Sequence, residues 1–272
     1  MGSIVERAED LRECRVHSGS GTKRVALFFM DPSTRTRLSF QAAAMELGWS
    51  VLDCGDMTRL QVSKGESLMD TGRMVGTIAD FAVFRGAQPG ALVEFTAGFR
   101  PGRVINAGCD QWHPTQAVAD LLTLKDHGLL SPRVVTFVGA PVGRRAQCSF
   151  LKLIRDKHVQ CDKIVVISEL DGDPLPPWFG PDERVVIRRK LDLSDAHLVY
   201  LSNMARPQAG STWTPNPFRV RAFDLPEGSF VMHPLARHEE LSTDVDDTPH
   251  NLYFRQMENL LPARMAVLSC AG

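Results

Sequence analysis

Short, nearly unbroken apolar runs recur along the chain, with longer mixed segments between them. The first four are Val25-Ala26-Leu27-Phe28-Phe29, Val51-Leu52, Phe81-Ala82-Val83-Phe84 and Val104-Ile105-Asn106-Ala107. Strands buried on both faces read as continuous runs, not as alternations, so this set predicts a parallel sheet. The intervening segments carry helical spacing. Thr36 to Leu47 has apolar positions at Leu38, Ala42 and Met45, and Ser67 to Ile78 has Leu68, Met74, Val75 and Ile78 with Thr71 on the same face. Both predict amphipathic helices that pack on the sheet through those positions.

The pattern breaks at Gly128 to Pro132 and resumes with Val134 to Val138, Lys163 to Ile167, Val185 to Ile187 and His197 to Leu201. Two successive sets of strands alternating with helices predict an α/β chain: two doubly wound parallel-sheet domains joined by interdomain helices. The expected boundaries are residues 1–127 for the first domain and 128–247 for the second, with 248–272 returning to the first. Thr248-Pro249 opens that closing segment, because a hydroxyl followed by proline suits an N-cap and first turn. Leu252, Tyr253, Met257, Leu260 and Leu261 follow at helical spacing. Proline and glycine cluster at Asp171 to Pro177 and Pro207 to Pro217, which predicts loops.

Length and charge narrow the function classes. A chain of 272 residues accommodates two modest domains. With 31 Lys+Arg against 32 Asp+Glu, the net charge of -1 lacks the footprint of a dedicated nucleic-acid binder, so no nucleic acid is expected as a partner. No apolar stretch approaches the about 18 residues of a membrane span, and the start, MGSIVERAEDLRECR, is charged where an export signal is apolar. The expectation is a cytoplasmic chain with no membrane partner. Six cysteines, at 14, 54, 109, 148, 161 and 270, form no C-x-x-C pair and sit beside no zinc-spaced histidine, so reduced thiols and no metal are expected.

The candidate chemistry begins at Met30-Asp31-Pro32-Ser33-Thr34-Arg35-Thr36-Arg37, which places three hydroxyls and two guanidiniums between a buried strand and a helix start. Unbonded N–H groups at a helix N-terminus favour an anion, and the hydroxyl and arginine donors complete a phosphate cradle. The second segment is Trp112-His113-Pro114-Thr115-Gln116 at the entrance of another helix. A histidine fixed there by the following proline can donate to a developing oxyanion, with Gln116 projecting near the same side. Val138-Gly139-Ala140-Pro141-Val142-Gly143 also follows a strand. Its G-x-x-x-G spacing and the proline in the turn exclude a dinucleotide fingerprint.

Taken together, these segments resemble the aspartate/ornithine carbamoyltransferase family, whose phosphate motif reads S-T-R-T-R and whose catalytic histidine lies in H-P-T-Q. The resemblance runs over residues 24 to 268. It includes Arg85 at the end of the third strand and Lys64 in Ser63-Lys64-Gly65-Glu66-Ser67, where the family's lysine reaches a neighbouring subunit's site. Met204-Ala205-Arg206-Pro207-Gln208 looks like the M-T-R-x-Q stretch of the aspartate branch, Gly143-Arg144-Arg145 like its G-R-T, and His233-Pro234-Leu235 like its substrate loop.

The resemblance implies that Ser33, Thr34, Arg35, Thr36, Lys64, Arg85, His113 and Gln116 bind carbamoyl phosphate, with Arg37 adding to the local cationic field. Arg35, Thr36, Arg85 and His113 are the catalytic set. Arg144, Arg206, Gln208 and Leu235 are implied to bind aspartate, in a homotrimer with shared sites and no cofactor. The chain departs from the family at Leu60, where a serine is usual, and at Ala236, where a second proline is usual. It is also short between Arg206 and His233. These departures keep two other readings in view: a carbamoyltransferase for a different amino acid or amine, and a non-catalytic binding subunit derived from the family.

Overall fold

The computed structural model describes residues 1–13, 23–55, 58, 60–202 and 218–271. The chain divides into two compact units: Met1–Leu122 with Asn259–Gly272, and Thr123–Glu258.

In the first unit, which opens with α1 (Gly2–Glu13), β1 (Arg24–Phe29), β2 (Ser50–Asp53), β3 (Phe81–Arg85) and β4 (Val104–Asn106) form a parallel sheet of order β2-β1-β3-β4. Successive side chains of a strand point to opposite faces. Ala26 and Phe28 of β1 and Ala82 and Phe84 of β3 join Leu68, Val75, Ala91, Phe95 and Phe99 in one core. Those partners lie on and beside α3 (Leu68–Ile78) and α4 (Ala91–Gly98). Val25, Leu27 and Phe29 face the other way and are equally buried, so both faces of the sheet are covered. Ser67 caps α3 by accepting from Asp70 N–H at 3.0 Å.

Helix α2 (Thr34–Glu46) corrects one expectation. Its buried residues are Thr36, Phe40, Ala43 and Ala44, while Leu38 is 57% and Met45 72% exposed. The buried stripe is set by Phe40 and its i+3 and i+4 neighbours, which puts Leu38 and Met45 on the opposite side. In α3 the expected Leu68, Thr71 and Val75 are buried, but Met74 and Ile78 face outward, their places taken by Gly72 and Gly76.

The second unit carries β5 (Val134–Val138), β6 (Lys163–Ile167), β7 (Val185–Arg188), β8 (Leu198–Leu201) and β9 (Phe230–Met232), all parallel, in the order β7-β6-β5-β8-β9. Its core unites Val138, Val165, Ile167, Val199, Leu201, Val231 and Tyr253. Helices α4 and α6 (Arg145–Arg155) and the three-residue strand β9 carry no sequence expectation. The chain passes from the first unit to the second within α5 (Pro114–Asp126).

The closing segment differs from expectation. Thr248 lies in a turn, its hydroxyl donating to Val245 O at 2.8 Å. The helix begins at Tyr253, and Asn251 Oδ1 accepts from Phe254 N–H at 3.2 Å. It then breaks at Asn259 into α7 (Tyr253–Glu258) and α8 (Leu260–Ala271). Pro262 explains the break: it has no N–H to bond the carbonyl of Glu258 and its ring would collide with it, whereas the first turn of a new helix tolerates it. Only α8 belongs to the first unit; α7 belongs to the second.

Candidate active site

In an open parallel sheet, the strand order reverses at a switch point whose carboxyl rim leaves a crevice for ligands. In the first sheet that point lies between β1 and β3. The Ser33 to Thr36 segment follows β1, Arg85 ends β3, and His113 follows β4 one strand further along. The order of the strands therefore brings to one rim residues that are far apart in sequence.

Ser33 occupies the N-cap position of α2 in extended conformation, yet its side chain makes no capping bond. Thr34 is exposed and Thr36 is buried. Arg35 is partly buried, and burial pulls its pKa below the ordinary arginine value. Arg37 differs from expectation. Its Nη1 bonds both oxygens of Asp53 at 2.8 and 3.1 Å, its Nη2 donates to Gly55 O, and its guanidinium lies over Phe29. Its charge is paired with the Asp53 carboxylate.

Arg85 Nη1 donates to Ala107 O at 3.0 Å and stands 3.1 Å from His113 Nε2. An arginine N–H only donates, so Nε2 is the acceptor and the ring proton lies on Nδ1. Nδ1 faces the Thr115 hydroxyl at 3.4 Å. His113, Thr115 and Gln116 are all buried, and Gln116 Nε2 donates to Asp120 Oδ1 at 2.8 Å.

Sequence reasoning overlooked what shapes this rim. Gly108 has φ +120, and a Cβ there would lie 2.7 Å from Arg85 Nη1 and 3.5 Å from the His113 ring. Glycine is thus required both by its conformation and by the space the guanidinium occupies. Asn106 Oδ1 accepts from Gly108 N–H, while Cys109 Sγ accepts from Asn106 Nδ2 and from Trp112 N–H. Cys109 therefore braces the loop ahead of His113. Lys64 stands exposed on the 3-10 turn Gln61–Lys64, and in that turn Ser63 Oγ donates to Leu60 O at 2.7 Å.

The second sheet has its own switch point, between β5 and β8. Arg144, after β5, reaches across it to donate to Ser202 O at 3.3 Å. Burial lowers its pKa, and the charge of Glu240 opposes the shift. Gly139, at φ +90, leaves room for that side chain: a Cβ would sit 3.0 to 3.2 Å from the guanidinium. His233 follows β9 and is fully buried. Its Nδ1 accepts from Leu235 N–H at 2.8 Å, so its Nε2 carries the proton and donates to Glu240 Oε1 at 2.9 Å. Burial pushes Glu240 up, but the bonds from His233 and from the His238 N–H outweigh it and hold the carboxyl below its ordinary value. The Leu235-Ala236 peptide is cis. Arg206 and Gln208 lie outside the described residues.

Among the described residues, no helix is long and apolar enough to cross a membrane.

The chain matches the model of the aspartate/ornithine carbamoyltransferase carbamoyl-P binding domain over residues 1–126 and that of the Asp/Orn binding domain over 211–271. It is 33% identical to the aspartate carbamoyltransferase catalytic subunit of Korarchaeum cryptofilum over 91% of this chain and 86% of the relative. With that of Methanothrix thermoacetophila it shares 32% identity, over 98% and 92% of the two chains. Among solved structures, the catalytic subunit of M. jannaschii aspartate transcarbamoylase aligns with TM-score 0.79 at 29% identity, covering 97% and 91% of the two chains. An ornithine carbamoyltransferase from Thermus thermophilus shares the fold, with TM-score 0.82 at 24% identity over 99% and 93%. Family models that match in both units, and relatives about a third identical along nearly the whole chain, settle the assignment: the chain belongs to the aspartate/ornithine carbamoyltransferase family and is a carbamoyltransferase.

Proposed function

We propose that the chain transfers the carbamoyl group of carbamoyl phosphate to the amino group of L-aspartate, giving N-carbamoyl-L-aspartate and phosphate for pyrimidine synthesis. The observation that supports this reading is the shared carboxyl rim of the first sheet, where the Ser33–Thr36 segment follows β1, Arg85 ends β3, and Arg85 Nη1 stands 3.1 Å from His113 Nε2. The aspartate carbamoyltransferase names of the relatives support aspartate as the acceptor.

In this reading, the first unit, residues 1–122 with α8, binds carbamoyl phosphate, and the second, residues 123–258, binds the acceptor. Ser33, Thr34 and Arg35 hold the phosphate, aided by the free N–H groups of α2. Thr36, Arg85 and His113 converge on the carbonyl oxygen. An oxygen arriving beside Arg85 Nη1 takes the hydrogen bond that His113 Nε2 now accepts. The Thr115 hydroxyl can donate as well as accept, so His113 is able to shift its proton to Nε2 and donate to that oxygen. The amine nitrogen forms a bond to the carbonyl carbon, the C–O bond to phosphorus breaks, and the departing phosphate takes the amine proton. Gln116 holds the carbamoyl nitrogen. Arg144, Arg206 and Gln208 bind the acceptor carboxylates with the Leu235 carbonyl near the amine, and no cofactor takes part.

Lys64 completes a neighbouring copy's site in a cytoplasmic homotrimer. Its exposure supports this, as do the outward-facing Leu38 and Met45 on α2 and Met74 on α3. Mixing inactive Lys64→Ala chains with inactive Arg85→Ala chains should restore activity at a fraction of the sites; no recovery would rule out sharing. Phosphate release with aspartate, ornithine, putrescine or 2,3-diaminopropionate tests the acceptor. Aspartate should exceed the others by at least tenfold. Turnover with another amine alone would replace aspartate while keeping the phosphate half of the reading, an outcome that Ala236 in the acceptor loop makes worth testing.

A further inference from the structure

Gln116 lies in the first turn of α5, and the residue one turn on along the same face is Asp120. Gln116 is 5% exposed and Asp120 fully buried, with Gln116 Nε2 donating to Asp120 Oδ1 at 2.8 Å. A carboxylate accepts hydrogen bonds and donates none, so the NH2 end of the amide must face it. Turning the amide over would set its oxygen against a buried carboxylate, which is strongly unfavourable. Gln116 Oε1 is consequently the end turned away from Asp120, and it offers an acceptor.

A second fully buried charged residue, Arg264, acts on the same turn of α5. Arg264, on α8 and fully buried, is pulled down to about 10 by burial, against which the charge of Asp120 acts. Arg264 Nη1 donates to Thr115 O, and the guanidinium lies 5.2 Å from the centre of the Phe40 ring. These two buried groups anchor two consecutive residues: Arg264 the backbone of Thr115, whose hydroxyl faces His113, and Asp120 the side chain of Gln116.

We propose that Asp120 is a positioning residue that locks the Gln116 amide with its oxygen toward the substrate, and so makes the site select a carbamoyl over an acetyl phosphoanhydride. This rests on the reading that Gln116 holds the carbamoyl nitrogen. Carbamoyl phosphate and acetyl phosphate share their phosphate, carbonyl and outline; they differ in NH2 against CH3. Only the NH2 group donates to Gln116 Oε1. A methyl group leaves that buried acceptor without its partner, the kind of mismatch that discriminates strongly.

The test is calorimetric: dissociation constants of carbamoyl phosphate and of acetyl phosphate on the intact enzyme and its variants. The wild type should prefer carbamoyl phosphate. Asp120→Asn presents a donor as readily as an acceptor, so it frees the amide to turn, and the preference should fall about tenfold while acetyl phosphate binding stays unchanged. Gln116→Met should lower the preference at least as far. The double variant should go no further than Gln116→Met, because the proposed effect of Asp120 on this preference runs through that side chain. If Asp120→Asn alone fails to fold, Asp120→Asn with Arg264→Gln removes both charges, keeps a donor to Thr115 O, and carries the same comparison. Wild-type preference in Asp120→Asn, or in the double-neutral variant, alongside its loss in Gln116→Met would overturn the positioning role. Wild-type preference in Gln116→Met would overturn the reading beneath it, as would a wild type that binds both ligands equally.

Discussion

Gly108→Ala probes the rim without removing any functional group. The new Cβ would lie 2.7 Å from Arg85 Nη1, so the guanidinium must retreat by about 0.8 Å to reach ordinary van der Waals distance. That movement breaks or bends the 3.0 Å bond to Ala107 O and the 3.1 Å approach to His113 Nε2. A misplacement approaching 1 Å at a catalytic group costs about 10²-fold in rate. Forcing a side chain onto φ +120 adds about 1–3 kcal/mol of backbone strain. Gly102→Ala is the control: it places alanine at φ +72 with nothing within 4 Å of its Cβ. Both variants should melt a few degrees lower, by about 2–4 °C per kcal/mol for a chain of this size. In phosphate release with carbamoyl phosphate and aspartate, Gly108→Ala should lose about 10²-fold in kcat/KM and Gly102→Ala less than twofold. Wild-type kcat/KM in Gly108→Ala would refute the argument, because the arginine would then have no need of its present position.

Gly139→Ala applies the same logic to Arg144 in the second unit. It should raise the aspartate KM about tenfold and leave the carbamoyl phosphate KM alone, and a change in the second constant would contradict the assignment. Arg264→Met removes the fully buried guanidinium and its bond to Thr115 O, and should lower the thermal midpoint by several degrees; an unchanged Tm would contradict it. Asp195 bridges β7 and β6, bonding Arg188 at 2.8 Å and Lys163 at 2.8 Å, and these cations, Arg188 foremost, hold its carboxyl down at about 2. Because the folded value lies below the unfolded one near 3.8, its contribution is complete above pH 4 and is lost as pH falls toward 2. Urea midpoints between pH 5 and pH 2 should therefore fall less steeply in Asp195→Asn than in the wild type, and parallel curves would argue against the pairing.

The sequence displays its two sheets because most of their strands are buried on both faces, and runs such as Val25 to Phe29 and Val134 to Val138 need no periodicity to be recognised. Strand β9 escapes notice for the converse reason: three residues running into His233-Pro234 are too short to stand out from a loop. The phase of α2 misleads because Leu38 and Met45 are apolar and correctly spaced, yet face away from the core. Phe40 with the small residues Ala43 and Ala44 provides the closer fit. In the site, Ser33 to Thr36 and His113 to Gln116 are legible because each is a compact cluster of donors at a helix entrance. Gly108, Gly139, Asp120 and Arg264 are not. A glycine's role in making room depends on a side chain distant in sequence, and a buried charge on another helix leaves no local mark.

The most direct test of carbamoyl transfer to aspartate is to follow 13C-labelled carbamoyl phosphate by NMR with L-aspartate and the wild-type enzyme, with His113→Ala as the blank. The account predicts that the label moves into the ureido carbon of N-carbamoyl-L-aspartate, in step with phosphate release, and that the transfer is lost in the variant. Label appearing only as carbonate or cyanate, at equal rates with and without aspartate or with and without His113, would contradict it.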